Sequence, residues 1–276
     1  TVRAAAFQLM DSSRSVGDYK LPEKWLIVAL GNGPDDGGVF KGLEYAFLGR
    51  CLGVRVEPDF NSWKNWALNN GVHPAVVGFL AWQPQYIHDL NLEAEYAEKA
   101  PSPRAWTKLS IKLINAEKRV GGTLDRRSIE VYAAAAVGNK LAPTFAAFYS
   151  YKNDVVSAEE ILNGKGLDKI PDLSREILYF QIHTVVAGVN ELLNKTYIPD
   201  EVDWPESTYK QVANACKWAI AAGKQRLDVT VGIFNELQTS CKNFCNIIID
   251  DKFSAVCPEF DEFGKEHMNV FRRKGH

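Results

Sequence analysis

Hydrophobic positions along the chain follow two rhythms, and the change comes near residue 58. Before it they form short runs and alternations. Trp25-Leu26-Ile27-Val28-Ala29-Leu30 is a continuous apolar run, the pattern of a strand covered on both faces, as in a parallel sheet. Leu52, Val54 and Val56 alternate with Gly53, Arg55 and Glu57, which predicts a strand over 51–57 nearer a sheet edge, ended by Pro58. Gly17-Asp18 between short polar-apolar stretches predicts a small hairpin over 14–24. A Gly/Asp-rich loop at 31–38 precedes a short predicted helix over 41–49. The chain opens inside a helical pattern, with Val2, Ala5, Ala6 and Leu9 on one face and no initiator Met. It reads as the C-terminal part of a longer protein.

Beyond residue 58 the period becomes helical. Asn61 is the predicted cap of a helix carrying Trp63, Trp66 and Ala67 and closed by Gly71. Pro74 sits in the first turn of the next, through Trp82. Ser102-Pro103 opens a helix to about Lys118, broken by Gly121-Gly122. Further helices are predicted over 125–150, 157–163, 173–195, 205–223, 227–249 and 259–273, with Ser157-Ala158-Glu159-Glu160 as a capping box. The expected fold class is mainly α: an α/β remnant over 1–58, then helical regions over 59–122 and 123–276.

Composition narrows the function. The chain has 276 residues, with 32 Lys+Arg against 34 Asp+Glu and a net charge of −2, which argues against a non-specific nucleic-acid binder. Hydrophobic content of 46% and charged content of 24% suit a globular chain. No apolar run approaches the roughly 20 residues of a membrane span, so no membrane partner is expected. The first residues carry no apolar core of a signal peptide, and five Cys, an odd number, read as reduced thiols. The expected location is cytoplasmic.

Three residues stand where chemistry is plausible. Asn32 lies just past the carboxyl end of the apolar run, where open α/β sheets bind ligands. It could orient a water or a phosphate oxygen, or simply form a turn with Gly33. Arg50 follows Leu48-Gly49 at a helix end. A cation there complements the helix dipole, or serves as a guanidinium offered to a neighbour's phosphate. Arg104 falls in the first turn after Ser102-Pro103, where a cation opposes the dipole. It either completes an anion site with the helix terminus or pairs with a nearby Glu such as Glu98. Cys241, Cys245, Cys257 and His267 lack the spacing of compact zinc modules. Cys241 and Cys245, four apart on a predicted helix, read as small core residues. No Gly-x-x-x-x-Gly-Lys-Ser/Thr occurs.

In order and spacing these segments resemble a known family. Tyr19-Lys20-Leu21-Pro22-Glu23-Lys24-Trp25 through Leu30-Gly31-Asn32 is similar to the hairpin, fourth strand and sensor-1 Asn of AAA+ ATPases of the MoxR-like group. Ala46-Phe47-Leu48-Gly49-Arg50-Cys51 resembles the segment ending in the arginine finger, with Cys51 where Phe is usual. Val56-Glu57-Pro58-Asp59 with Trp63 and Trp66-Ala67 is similar to the entry to the lid, and Ser102-Pro103-Arg104-Ala105-Trp106 resembles the sensor-2 motif. The resemblance covers about residues 1–120, continues more faintly over 125–165, and stops near 195. It implies an AAA+ core with strand order 5-1-4-3-2, of which this chain would hold strands 4 and 5, a lid over 59–122, and Walker A and B segments before Thr1. It further implies ATP and Mg²⁺ for the complete protein, with Asn32 and Arg50 catalytic and Arg104 binding nucleotide. The partners would be neighbouring subunits of a ring, a hexamer in this family, and a remodelled client protein. The isolated chain would be inactive. The alternative reading is a non-catalytic helical interaction module of AAA+ ancestry.

Overall fold

The computed structural model describes residues 8–31, 49–89, 99–170, 174–198, 203–224 and 226–267. The chain divides into two compact units, a small one up to Glu57 and a large helical one from Pro58 onward.

The small unit carries the expected hairpin. Strands β1 (Ser15–Val16) and β2 (Tyr19–Lys20) pair antiparallel, with Val16 opposite Tyr19. Gly17 takes φ +57 at the first position of the two-residue loop, as a type II′ turn requires. Arg14, itself at φ 48, donates from its guanidinium to the carbonyls of Pro22, Glu23 and Trp25, tying the hairpin to the segment after it.

The two longer strands expected here are not formed. Residues 25–30 and 52–57 are irregular, with Leu30 93% and Leu52 94% exposed. An apolar run becomes a strand only where neighbours take its backbone hydrogen bonds and cover its side chains. Among the described residues no strand pairs with either segment. Of the helical pattern predicted at the N-terminus, which runs through Leu9, residues 8–10 are helical and the rest lies outside the described residues; of the helix predicted over 41–49, Gly49 stands in a turn and the rest lies outside them.

The large unit is built from twelve α-helices among the described residues: α1 (Phe60–Asn69), α2 (Pro74–Trp82), α3 (Pro103–Val120), α4 (Arg126–Val137), α5 (Ala142–Ser150), α6 (Ala158–Leu162), α7 (Arg175–Thr196), α8 (Glu206–Ala222), α9 (Leu227–Ser240), α10 (Phe244–Ile248), α11 (Asp251–Val256) and α12 (Pro258–Glu266). The mainly-α class is therefore correct. Helices from 59–122 and from beyond 123 share one core rather than two. Phe79 on α2 sits at its aromatic centre, with ring centroids 5.4 Å from Trp106, 5.4 Å from Phe145 and 5.5 Å from Phe148; Phe148 stacks on Phe180 at 5.4 Å. Gly78 lets α2 and α7 close, since a Cβ there would stand 3.1 Å from the Phe180 Cα.

Local chemistry sets the helix boundaries. The cap of α1 is Asp59, accepting from the Ser62 N–H at 2.7 Å, rather than Asn61. The capping box of α6 forms as the sequence predicts. The predicted helix over 125–150 breaks after Val137, where Gly138 takes φ +96 and its backbone lies against the Lys99 carbonyl; a Cβ would meet that oxygen at 2.3 Å. The predicted helix over 227–249 also breaks, at 241–243. The Ser240 carbonyl accepts from Asn69 Nδ2 on α1 at 3.0 Å, a tertiary bond at the helix end, and Cys241 turns to extended backbone. Cys241 and Cys245 thus lie on different elements: Cys241 is buried, whereas Cys245 is exposed and not a core residue.

Candidate functional site

The Ser102–Trp106 segment assigns a distinct physical role to nearly every side chain. Ser102, in extended backbone, caps α3 by accepting from the Ala105 N–H at 3.2 Å. Pro103 fills the first helical position, where its missing N–H costs nothing. Trp106 is fully buried, donates from Nε1 to the Tyr86 carbonyl at 2.7 Å, and packs on Phe79 and Phe145. That anchor fixes the rotation of α3 and turns Arg104 outward. Arg104 is exposed and makes no ion pair among the described residues. Glu98, its expected local partner, lies outside them.

The other two candidates belong to the small unit. Asn32 lies outside the described residues. Arg50 stands in a turn, with Nη2 3.9 Å from Asp11 Oδ2, both side chains well exposed. A pair so long and so hydrated contributes little to stability.

The large unit holds a cavity of about 830 Å³ that the sequence did not signal, lined by Phe60, Lys64, Tyr179, His183, Arg226 and Glu236 among others. Lys64 on α1 and Glu236 on α9 form an ion pair at 2.5 Å, with side chains 11% and 21% exposed. His183 on α7 is buried, and its Nδ1 has no hydrogen-bond partner. Burial pushes its pKa down to about 4; the Lys64 ammonium adds to that and the Glu236 carboxylate opposes it. His183 is therefore neutral at pH 7. Lys64 and Glu236 are 172 residues apart, so no local spacing could have linked them, and His183 stands isolated in the sequence.

Among the described residues no group of three or more His, Cys, Asp or Glu is placed to hold a metal ion. Cys216, Cys241 and Cys257 are buried free thiols whose pKa values burial raises, to about 11 for Cys257. They are protonated and unreactive at neutral pH. No helix among the described residues is long and apolar enough to cross a membrane. Comparison with family models, curated proteins and solved structures returns no match.

Proposed function

We propose that this chain is the sensing part of an AAA+ ATPase of the MoxR-like group, acting in a ring that couples ATP hydrolysis to remodelling of a partner protein. In this reading Asn32 positions the attacking water, Arg50 reaches the ATP of the neighbouring subunit, and Arg104 binds phosphate oxygens of the nucleotide. The P-loop and the Mg²⁺ ligands belong to an earlier part of the same protein. ATP with Mg²⁺ supplies the phosphoryl chemistry; the residues here contribute positioning and charge.

One observation carries the reading. Arg104 is held outward at the capped start of a helix whose next turn is locked by Trp106. A guanidinium in that turn opposes the dipole by about 0.3–1 kcal/mol. With an anion present, the same guanidinium and the terminal N–H groups converge on it. The residue is thus unfavourable for the helix alone and favourable with phosphate.

The test begins with the reading frame before Thr1, which should encode Gly-x-x-x-x-Gly-Lys-Ser/Thr; a frame without it overturns the proposal. In the complete protein, Arg50→Ala should lower turnover by about 10³–10⁵ while leaving nucleotide binding intact, and Arg104→Ala should weaken nucleotide binding. Turnover within a few-fold of wild type for both variants also overturns it. The 276-residue chain alone should show no low-micromolar affinity for Mg-ATP in isothermal titration. A second reading, a helical interaction module without nucleotide chemistry, is favoured by the single core of the large unit, and the same upstream sequence decides between them.

A further inference from the structure

Helix α3 presents a solvent face made almost wholly of cations. Lys108, Lys112 and Arg119, with Asn115 between the last two, are spaced 4, 3 and 4 residues apart. They share one side of the helix with Arg104 before them and Lys118 beside them, and all are exposed. At 1.5 Å per residue the row from Arg104 to Arg119 is about 22 Å long. None of these cations makes an ion pair among the described residues. The helix's sole acid, Glu117, is turned inward, where it accepts from His73, Tyr149 and Lys152.

On other helices of the large unit some exposed cations are neutralised by acids one turn away, as in Arg126–Glu130, Lys195–Glu191 and Lys210–Glu206. On α3, Arg104 with Lys108 and Lys108 with Lys112 are like charges at i,i+4, each costing a few tenths of a kcal/mol. Lys118 and Arg119 lie in the last turn, where the helix dipole favours them, but among the described residues nothing in the fold repays Arg104, Lys108 and Lys112, and their charge is open to an external partner. We infer that the outer face of α3 docks the phosphate backbone of a nucleic-acid duplex.

The chemistry of the face selects that partner. Protein–protein interfaces are depleted in Lys, whereas nucleic-acid interfaces are polar and strongly positive; the only large apolar side chain within the row is Ile111. Single-strand binders present aromatic side chains for stacking, and the row exposes none. One duplex strand carries a charge every 3.4 Å of axis, so about six phosphates lie along 22 Å. The net charge of −2 averages over the molecule, but a phosphate backbone meets one face. The inference does not depend on the ATPase reading, because Lys108, Lys112, Lys118 and Arg119 are outside the proposed nucleotide site.

The experiment is fluorescence anisotropy of the full chain with a short labelled duplex of mixed sequence, titrated over a range of KCl concentrations. Each cation lost from the contact lowers the salt slope by about 0.9. Wild type should bind with a slope of about −3 to −4, and Lys108→Gln/Lys112→Gln/Arg119→Gln should reduce its magnitude by about 2.7. A control variant, Lys169→Gln/Lys195→Gln/Lys210→Gln, alters ion-paired lysines and should bind as wild type. Circular dichroism melts of both variants verify the fold. Absence of salt-dependent binding, an unchanged slope in the α3 variant, or an equal loss in the control overturns the inference. So does tighter binding of a single strand, or displacement of the duplex by a polyglutamate peptide at lower charge concentration, which assigns the face to an acidic protein.

Discussion

Two titratable groups on different helices, Glu117 half-buried and His183 buried, make stability depend on pH in separate windows. Glu117 accepts from His73 Nε2 at 3.1 Å, from Lys152 Nζ at 2.6 Å and from the Tyr149 hydroxyl. Burial raises its pKa, but the bonds to His73, Lys152 and Tyr149 outweigh this and bring it from 4.5 to about 2. A depressed carboxylate adds stability that is complete above the unfolded value and is lost as pH falls. Glu117→Gln should therefore cost on the order of 1.5–3 kcal/mol at neutral pH, and the gap from wild type should narrow below pH 4.5 toward 2. Denaturant melts at stepped pH measure it; a gap independent of pH refutes the assignment. His183 acts higher. Its pKa falls from 6.5 to about 4 because the imidazolium is buried, so the unfolded chain takes up a proton that the native chain refuses. Stability is lost as pH drops through that window, by about 3 kcal/mol in all, and His183→Leu should flatten the profile between pH 6.5 and 4. Neither group was legible in the sequence. Glu117 and His73 are 44 residues apart, and Tyr149 lies 32 beyond Glu117; only the packing of α2, α3 and α5 brings them together.

At the scale of elements the sequence was informative wherever the controlling interaction is local. The capping box of α6, the proline starts of α2 and α3, and the hairpin glycine each involve residues within four positions of one another. It was uninformative where a distant residue decides. The end of α9 is met by Asn69, which is 171 residues away, so hydrophobic period alone ran the helix on to 249. The break after α4 is intermediate. Gly138 is visible in the sequence, yet a glycine inside a helical period is ambiguous until its φ is known. Its positive φ and the approach of the Lys99 carbonyl make Gly138→Ala a test of the element. It should cost about 1–3 kcal/mol, from left-handed strain and the displaced carbonyl, where alanine in a continuous helix would stabilise by up to about 1 kcal/mol. The sign of the change in thermal midpoint separates the two. Among the candidate residues, the outward placement of Arg104 was legible for the same local reason, because cap, proline and buried Trp106 lie within five consecutive positions.

At the scale of the whole molecule, apolar surface is distributed unevenly. The large unit buries Trp106, Trp218, Phe79, Phe145 and Phe234 almost completely. The small unit leaves Trp25, Leu26, Val28, Leu30, Leu52, Val54 and Val56 largely in solvent. Side chains of that kind, exposed on segments that join no sheet among the described residues, offer a surface to any other chain. Fully burying one of them is worth about 1.5–3 kcal/mol, so association through the small unit has a large driving force that folding of the large unit does not share. Replacing Leu26, Leu30, Leu52 and Val56 together by Lys should suppress concentration-dependent light scattering and binding of a hydrophobic dye. The main thermal transition, set by the core around Phe79, should stay within about 8 °C, since exposed substitutions away from packed or bonded groups change stability by no more than about 0.5 kcal/mol each, about 2 kcal/mol for the four. A fall in that midpoint beyond this range would show that the four side chains are covered in the folded molecule and that the two units are energetically one.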